Sequence, residues 1–203
     1  FTIGITDDVT YLSLPAGENL DTAAVGTTAC KFWGLGADGT VGANKNSIKI
    51  IGENSDKYVQ GFFEYDSKKS GSYTISHLRF GDKKIQSTYL IQSANFIACH
   101  SFSFLNKYNL LEHATSGATF LIASPYSQND VWDHLPRRVQ EQIITLKIKL
   151  FNIQANKIAL ECGMGKRINT IMQTAFFAIS QVLPLDTALT AIKTAIKKTY
   201  ARK

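Results

Sequence analysis

Three glycines, Gly34, Gly36 and Gly39, stand in the spacing G-x-G-x-x-G inside the stretch KFWGLGADGTVGANKNSIKIIG. Glycine lets a backbone come close to a phosphate. A helix that starts just after such a loop adds free N–H groups and the positive end of its dipole. A dinucleotide needs one thing more, an acidic residue about 20 residues on to bind a ribose hydroxyl. Asp66, at the end of the next strand-like run, comes late for that role. Directly after it stand Lys68 and Lys69, framed by Ser67 and Ser70 and closed by Gly71. Ammonium groups beside hydroxyl and backbone donors suit phosphate charge better than a bare ribose diol. A 2′- or 3′-phosphorylated adenosine ligand fits this set better than NAD. On the run alone, a solvated Lys-Lys turn stands equally open.

A second corner of the same kind precedes the most apolar helical stretch of the chain. Gly163 and Gly165 lead into Lys166, Arg167 and Asn169, after which Met172, Ala175, Phe176 and Ile179 recur at helical spacing. A glycine turn with cations at a buried helix's start receives anions. The plain alternative is that Arg167 pairs a carboxylate and Asn169 caps the helix. Two such corners in one domain favour the ligand.

No catalytic set assembles from the rest. His77, His100, His113 and His134 show no H-E-x-x-H pattern, and there is no G-x-S-x-G elbow. His77 reads as a hydrogen-bonded interior residue; His100, after Cys99 at a strand's end, has better access. Asp7 and Asp8 read as a solvated turn or cap. Cys30, Cys99 and Cys162 include no C-x-x-C pair, which excludes a self-contained iron–sulfur or Cys-rich zinc site and suits reduced thiols.

These residues need elements to hold them. Short apolar runs over 30–35, 59–65, 73–80, 96–100, 118–123 and 149–153 predict strands. Helical patterns cover 41–51, ending at Gly52 as C-cap, then 105–114, 137–146, 169–183 and 187–200. Strands alternating with helices predict an α/β fold, a mostly parallel sheet with flanking helices. Ligands of such sheets sit at the carboxyl ends of strands, where the glycine loop falls. Residues 1–28, rich in Gly, Thr and Ala, read as a lead-in from a preceding domain, and 29–203 as one α/β domain.

The chain has 203 residues, 44% hydrophobic and 19% charged, which is a globular composition with room for a real core. Its net charge of +6 gathers in small clusters without a continuous basic stripe. The aromatics sit in apolar runs, so nucleic acid is not expected. No apolar run reaches membrane-spanning length, and no signal peptide precedes Phe1, so a cytoplasmic setting is expected without membrane contact. The start at Phe1 and the basic end at Lys203 lead us to expect a piece of a longer chain.

Several runs together carry a family resemblance. They are FTIGITDDVTYLSLP, CKFWGLGADGTVGANKNSIKIIG, the run from Tyr65 to Gly71, TISHLRFG and GKRINTIMQTAFF. Nearly the whole chain resembles the third, gamma-subunit-like domain of single-chain pyruvate:ferredoxin (flavodoxin) oxidoreductases. The resemblance implies a Rossmann-like gamma domain of an enzyme that converts pyruvate to acetyl-coenzyme A, carbon dioxide and low-potential electrons. It implies a fragment inactive alone, with thiamine diphosphate, Mg²⁺ and 4Fe-4S clusters in other domains. The remaining domains would be its partners, ferredoxin or flavodoxin the acceptor, and a homodimer the full enzyme. It places coenzyme A contacts on Gly39, Thr40, Val41, Gly42, Ala43 and Asn44, on Lys68, Lys69 and Ser70, and on Arg167 and Asn169. The 3′-phosphate of coenzyme A would explain lysines in place of an acidic ribose reader. Ser72 and Lys166 stand where the family often has glycine; neither removes the function. Ala37–Gly39 resembles the G-D-G of thiamine enzymes only faintly, and the Asn that motif needs is not at its spacing. Two other readings remain open: an NADP-binding oxidoreductase domain, and a docking scaffold without a ligand.

Overall fold

The computed structural model describes residues 1–17, 21–66 and 72–200. Two short strands, β1 (Thr2–Ile3) and β2 (Ser13–Leu14), open the chain and pair in parallel. Then β3 (Thr28–Leu35) leads into α1 (Thr40–Glu53), which crosses to β4 (Tyr58–Tyr65) and its neighbour β5 (Tyr73–Gly81). Two further strands are β6 (Ala94–Cys99) and β7 (Ala114–Ala123), followed by α2 (Arg137–Thr145) and β8 (Lys149–Ile153). Three helices close the chain: α3 (Ala155–Glu161), α4 (Asn169–Ser180) and α5 (Leu185–Tyr200).

The larger sheet has six strands in the order β4-β5-β3-β6-β7-β8. From β3 to β8 all pairings are parallel; β5 runs antiparallel to both β3 and β4. This is the α/β architecture with a mostly parallel sheet that the alternating pattern predicts. Successive side chains of a strand face opposite ways, so the sheet feeds two cores. On one face Cys30 and Phe32 pack with Ile50 and Ile51 of α1 and with Met172 and Phe176 of α4. On the other, Ala29 and Trp33 join Phe104, Leu111, Val139 and Ile143. The central strands are covered on both faces, which is why they read as mostly apolar runs, with Lys31 buried among them in β3.

Three expectations are corrected. The helix expected over 105–114 is a 3-10 turn, Phe102–Asn106, followed by further turns. Its buried Leu105, Leu110 and Leu111 mimic a helical stripe but plug the sheet face, and Arg138 Nη2 donates to the carbonyls of Leu105 and Tyr108. Gly52 does not end α1. The helix runs on to Glu53, and Asn54 stops it by donating its N–H and Nδ2 to the Ile50 carbonyl. A Cβ at Gly52 would lie 3.0 Å from Val59, so glycine lets α1 pack against β4. Finally, α4 stops at Ser180, with Gln181 left-handed at φ 50°, and the short α3 carries no sequence pattern strong enough to announce it.

Candidate functional site

Strand β3 delivers the glycine loop to the carboxyl end of the sheet. Asp38 folds it: Oδ2 accepts the Leu35 N–H at 2.8 Å and Oδ1 the Thr40 N–H at 2.8 Å. Gly39, left-handed at φ 80°, is the N-cap of α1, and its carbonyl accepts the Ala43 N–H at 3.0 Å. The next N–H groups, of Val41 and Gly42, have no partner within a helix. Gly42 is exposed, a Cβ there would meet nothing within 4 Å, and the first turn of α1 holds no acidic side chain.

The three glycines serve different ends. At Gly34 a Cβ would lie 2.4 Å from Thr40 Oγ1, so this glycine lets the start of α1 close on β3. Gly36 passes against Ser72, to whose carbonyl it donates its N–H at 3.0 Å. Gly39 supplies the left-handed cap. The crossover itself departs from a dinucleotide-binding unit, because β5 lies between β3 and β4 in the sheet.

Of the expected contacts, Gly39, Val41 and Gly42 face outward or half-outward, whereas Thr40, Ala43 and Asn44 are buried. Thr40 Oγ1 is bonded to His100 Nδ1 at 2.8 Å. The Ala43 carbonyl accepts Gln173 Nε2 and Ser47 Oγ, and Asn44 Nδ2 has no partner among the described residues. The Thr40 and Ala43 N–H groups are likewise engaged, by Asp38 Oδ1 and the Gly39 carbonyl. Lys68, Lys69 and Ser70 lie outside the described residues. The segments flanking them end at Asp66 and at Ser72, the latter bonded to the glycine loop.

The second corner meets the first in space. Asn169 does not cap its helix; its Nδ2 donates to the Gly39 carbonyl at 3.4 Å. Gln173, a turn later, reaches α1 as well, so α4 is fastened to α1 by polar contacts from its first turn. Lys166 and Arg167, both exposed, form no ion pair among the described residues. They line a cavity of about 660 Å³ together with Leu35, Asp38, His100 and Phe102. The cavity lies where β3, β6 and β7 end, a ligand position of open α/β sheets. Lys166 and Arg167 against Asp38 leave its rim one positive charge in excess.

Sequence reasoning singled out His100 for its access but did not join it to Thr40. Burial pushes its pKa down to about 4, with Asp38 pulling the other way, so the imidazole is neutral at physiological pH. Asp38 entered the sequence reading only as the centre of Ala37–Gly39; its spacing from the helix start, D-G-T, is the signal that marks it as a cap. Among the described residues no group of three or more His, Cys, Asp or Glu side chains is placed to hold a metal ion. No helix among them is long and apolar enough to cross a membrane.

A family model described as pyruvate ferredoxin/flavodoxin oxidoreductase matches residues 29–203. Over all 203 residues the chain is 59% identical to the pyruvate-flavodoxin oxidoreductase of Rhodospirillum rubrum, of whose length it spans 17%. The solved pyruvate oxidoreductase subunit PORC of Thermotoga maritima matches with a TM-score of 0.66 at 19% identity, over 86% of each chain. A 2-oxoglutarate:ferredoxin oxidoreductase from Magnetococcus marinus, solved with 2-oxoglutarate, coenzyme A and succinyl-CoA bound, matches with a TM-score of 0.59 at 12% identity. That likeness covers 84% of this chain and 30% of the other. At such identities the structural likenesses establish the fold.

Proposed function

Since the chain belongs to the pyruvate ferredoxin/flavodoxin oxidoreductase family, we propose that it is the coenzyme A-facing domain of such an enzyme. In this reading the longer protein oxidatively decarboxylates pyruvate to acetyl-coenzyme A and carbon dioxide and passes electrons to ferredoxin or flavodoxin. Thiamine diphosphate with Mg²⁺ and the 4Fe-4S clusters belong to its other domains. The observation that carries the proposal is the cavity of about 660 Å³ lined both by Ala37 and Asp38 of the glycine loop, just before α1, and by the Lys166–Arg167 corner.

Each part of the site has a task suited to this ligand. The free N–H groups of Val41 and Gly42, at the positive end of α1, receive the pyrophosphate. The cations Lys166 and Arg167, with Lys68 and Lys69, neutralise the remaining phosphate charge. Asn169 holds the loop carbonyl so that its N–H groups keep their direction. Leu35 and Phe102 offer apolar wall to the less polar arm of the ligand.

The test is kinetic. Replacing Lys166 and Arg167 with Ala in the full-length enzyme removes two exposed cations, each worth about 1 kcal/mol. The KM for coenzyme A should rise by roughly 30-fold while that for pyruvate stays in place. A Lys68→Ala, Lys69→Ala pair should act in the same direction. Equal effects on both substrates, or none, would remove these residues from coenzyme A binding.

A further inference from the structure

The first 17 residues form an ordered arch that has no core of its own. Gly4 donates its N–H to the Leu14 carbonyl at 2.8 Å, beside the parallel pair β1 and β2. Inside the arch, the Asp7 carboxylate accepts the backbone N–H groups of Val9, Thr10 and Leu12 and the Thr10 hydroxyl. These bonds hold the Asp7 carboxyl well below the usual carboxylate range. Tyr11 is kept left-handed at φ 56°, a conformation a tyrosine rarely adopts unless its surroundings determine it. Among the described residues, every hydrogen bond made by the arch stays within it.

This rigid frame displays apolar side chains to water. Every large apolar side chain from Phe1 to Leu14 is more than half exposed, with Phe1 at 87%, Val9 at 81% and Tyr11 at 80%. Single exposed apolar residues are ordinary, but seven such side chains from Phe1 to Leu14, on a segment held by its own hydrogen bonds, mark an interaction surface. We infer that the arch is a docking element whose apolar side chains seat in another domain of the same, longer polypeptide.

Two observations favour that occupant over a second copy. The identity to the Rhodospirillum rubrum protein runs through all 203 residues, arch included, in a chain of which this one is 17%. By contrast, the family model starts at residue 29, and the separate subunit PORC matches no more of this chain than the share that residues 29–203 make up. The arch thus lies in the stretch shared with a much longer chain, where a neighbouring domain of the same polypeptide is present at high effective concentration. This inference does not depend on which ligand the cavity takes.

The experiment uses the full-length enzyme carrying a photo-crosslinking benzoylphenylalanine in place of Tyr11. After irradiation we expect a product of monomer mass on a denaturing gel. Mass spectrometry should join its arch peptide to a sequence outside these 203 residues. A dimer-mass product joining two chains would overturn the inference in favour of a second copy. Cross-links confined to residues 1–203, or none beyond those of a control probe at the exposed Lys49, would overturn it as well. A Val9→Ser, Tyr11→Ser enzyme adds a second reading, since the Asp7 bonds that shape the arch remain. Its arch should be cut by protease roughly tenfold faster than in the unchanged enzyme; an unchanged rate contradicts docking.

Discussion

His100 carries a proton balance that folding changes. In the unfolded chain its imidazole titrates near the ordinary 6.5, whereas burial lowers it to about 4 in the folded protein. The folded state therefore binds fewer protons, and the stability this group permits is complete above about pH 6.5. It is lost as the pH falls from 6.5 toward 4, by an amount on the order of 3 kcal/mol. A His100→Gln variant should show a flatter fall in thermal midpoint across that window. The loss of the 2.8 Å bond to Thr40 would lower its midpoint at neutral pH. A variant as steep as the unchanged protein would assign the pH dependence to other groups.

At the scale of the element, the start of α1 depends on which glycine is replaced. Gly39→Ala forces a side chain onto φ 80° and brings its Cβ within 2.8 Å of Asn169 Nδ2. That change should cost about 1–2 kcal/mol and loosen the α4 contact. Gly42→Ala meets open space on a helix, so it should raise stability by about 0.5–1 kcal/mol. If the pyrophosphate approaches the N–H groups there, the same methyl should raise the coenzyme A KM. Stability and ligand binding would then move in opposite senses. Thermal melting and steady-state kinetics of the two variants in the full-length enzyme check both signs.

At the scale of the molecule, one aromatic cluster ties the site to the core. Phe176 of α4 is 1% exposed and stands edge-on to Phe32 of β3 and Phe96 of β6, at 5.1 and 5.2 Å. The helix that carries it also carries Asn169 and Gln173, which hold the glycine loop and α1. Phe176→Ala should therefore cost about 3–5 kcal/mol. If the cavity takes coenzyme A as proposed, the change should raise the coenzyme A KM as well, because α4 positions the corner, although residue 176 lies away from the cavity lining. Chemical denaturation with a parallel KM measurement would detect both. A stability loss without a change in KM would uncouple the core from the site.

Much of this protein is legible from its residues alone. The strands of the sheet announce themselves because central strands, covered on both faces, are mostly apolar. The glycine loop and the Lys166–Arg167 corner suggest their proposed chemistry through residue type, since phosphate needs close backbone and cation. The resemblance of long runs such as CKFWGLGADGTVGANKNSIKIIG named the family that the comparison with relatives established. Periodicity failed where burial and helicity part company, as at Leu105, Leu110 and Leu111, whose stripe fills a sheet face without forming a helix. Local sequence could not say that Thr40 turns inward to His100, that Asn169 leaves its own helix for the Gly39 carbonyl, or that the arch finds no cover among the described residues. Each of those is a contact, or a missing contact, between residues far apart in the chain. Only the packing of α1 and α4 on the sheet decides which of them meet.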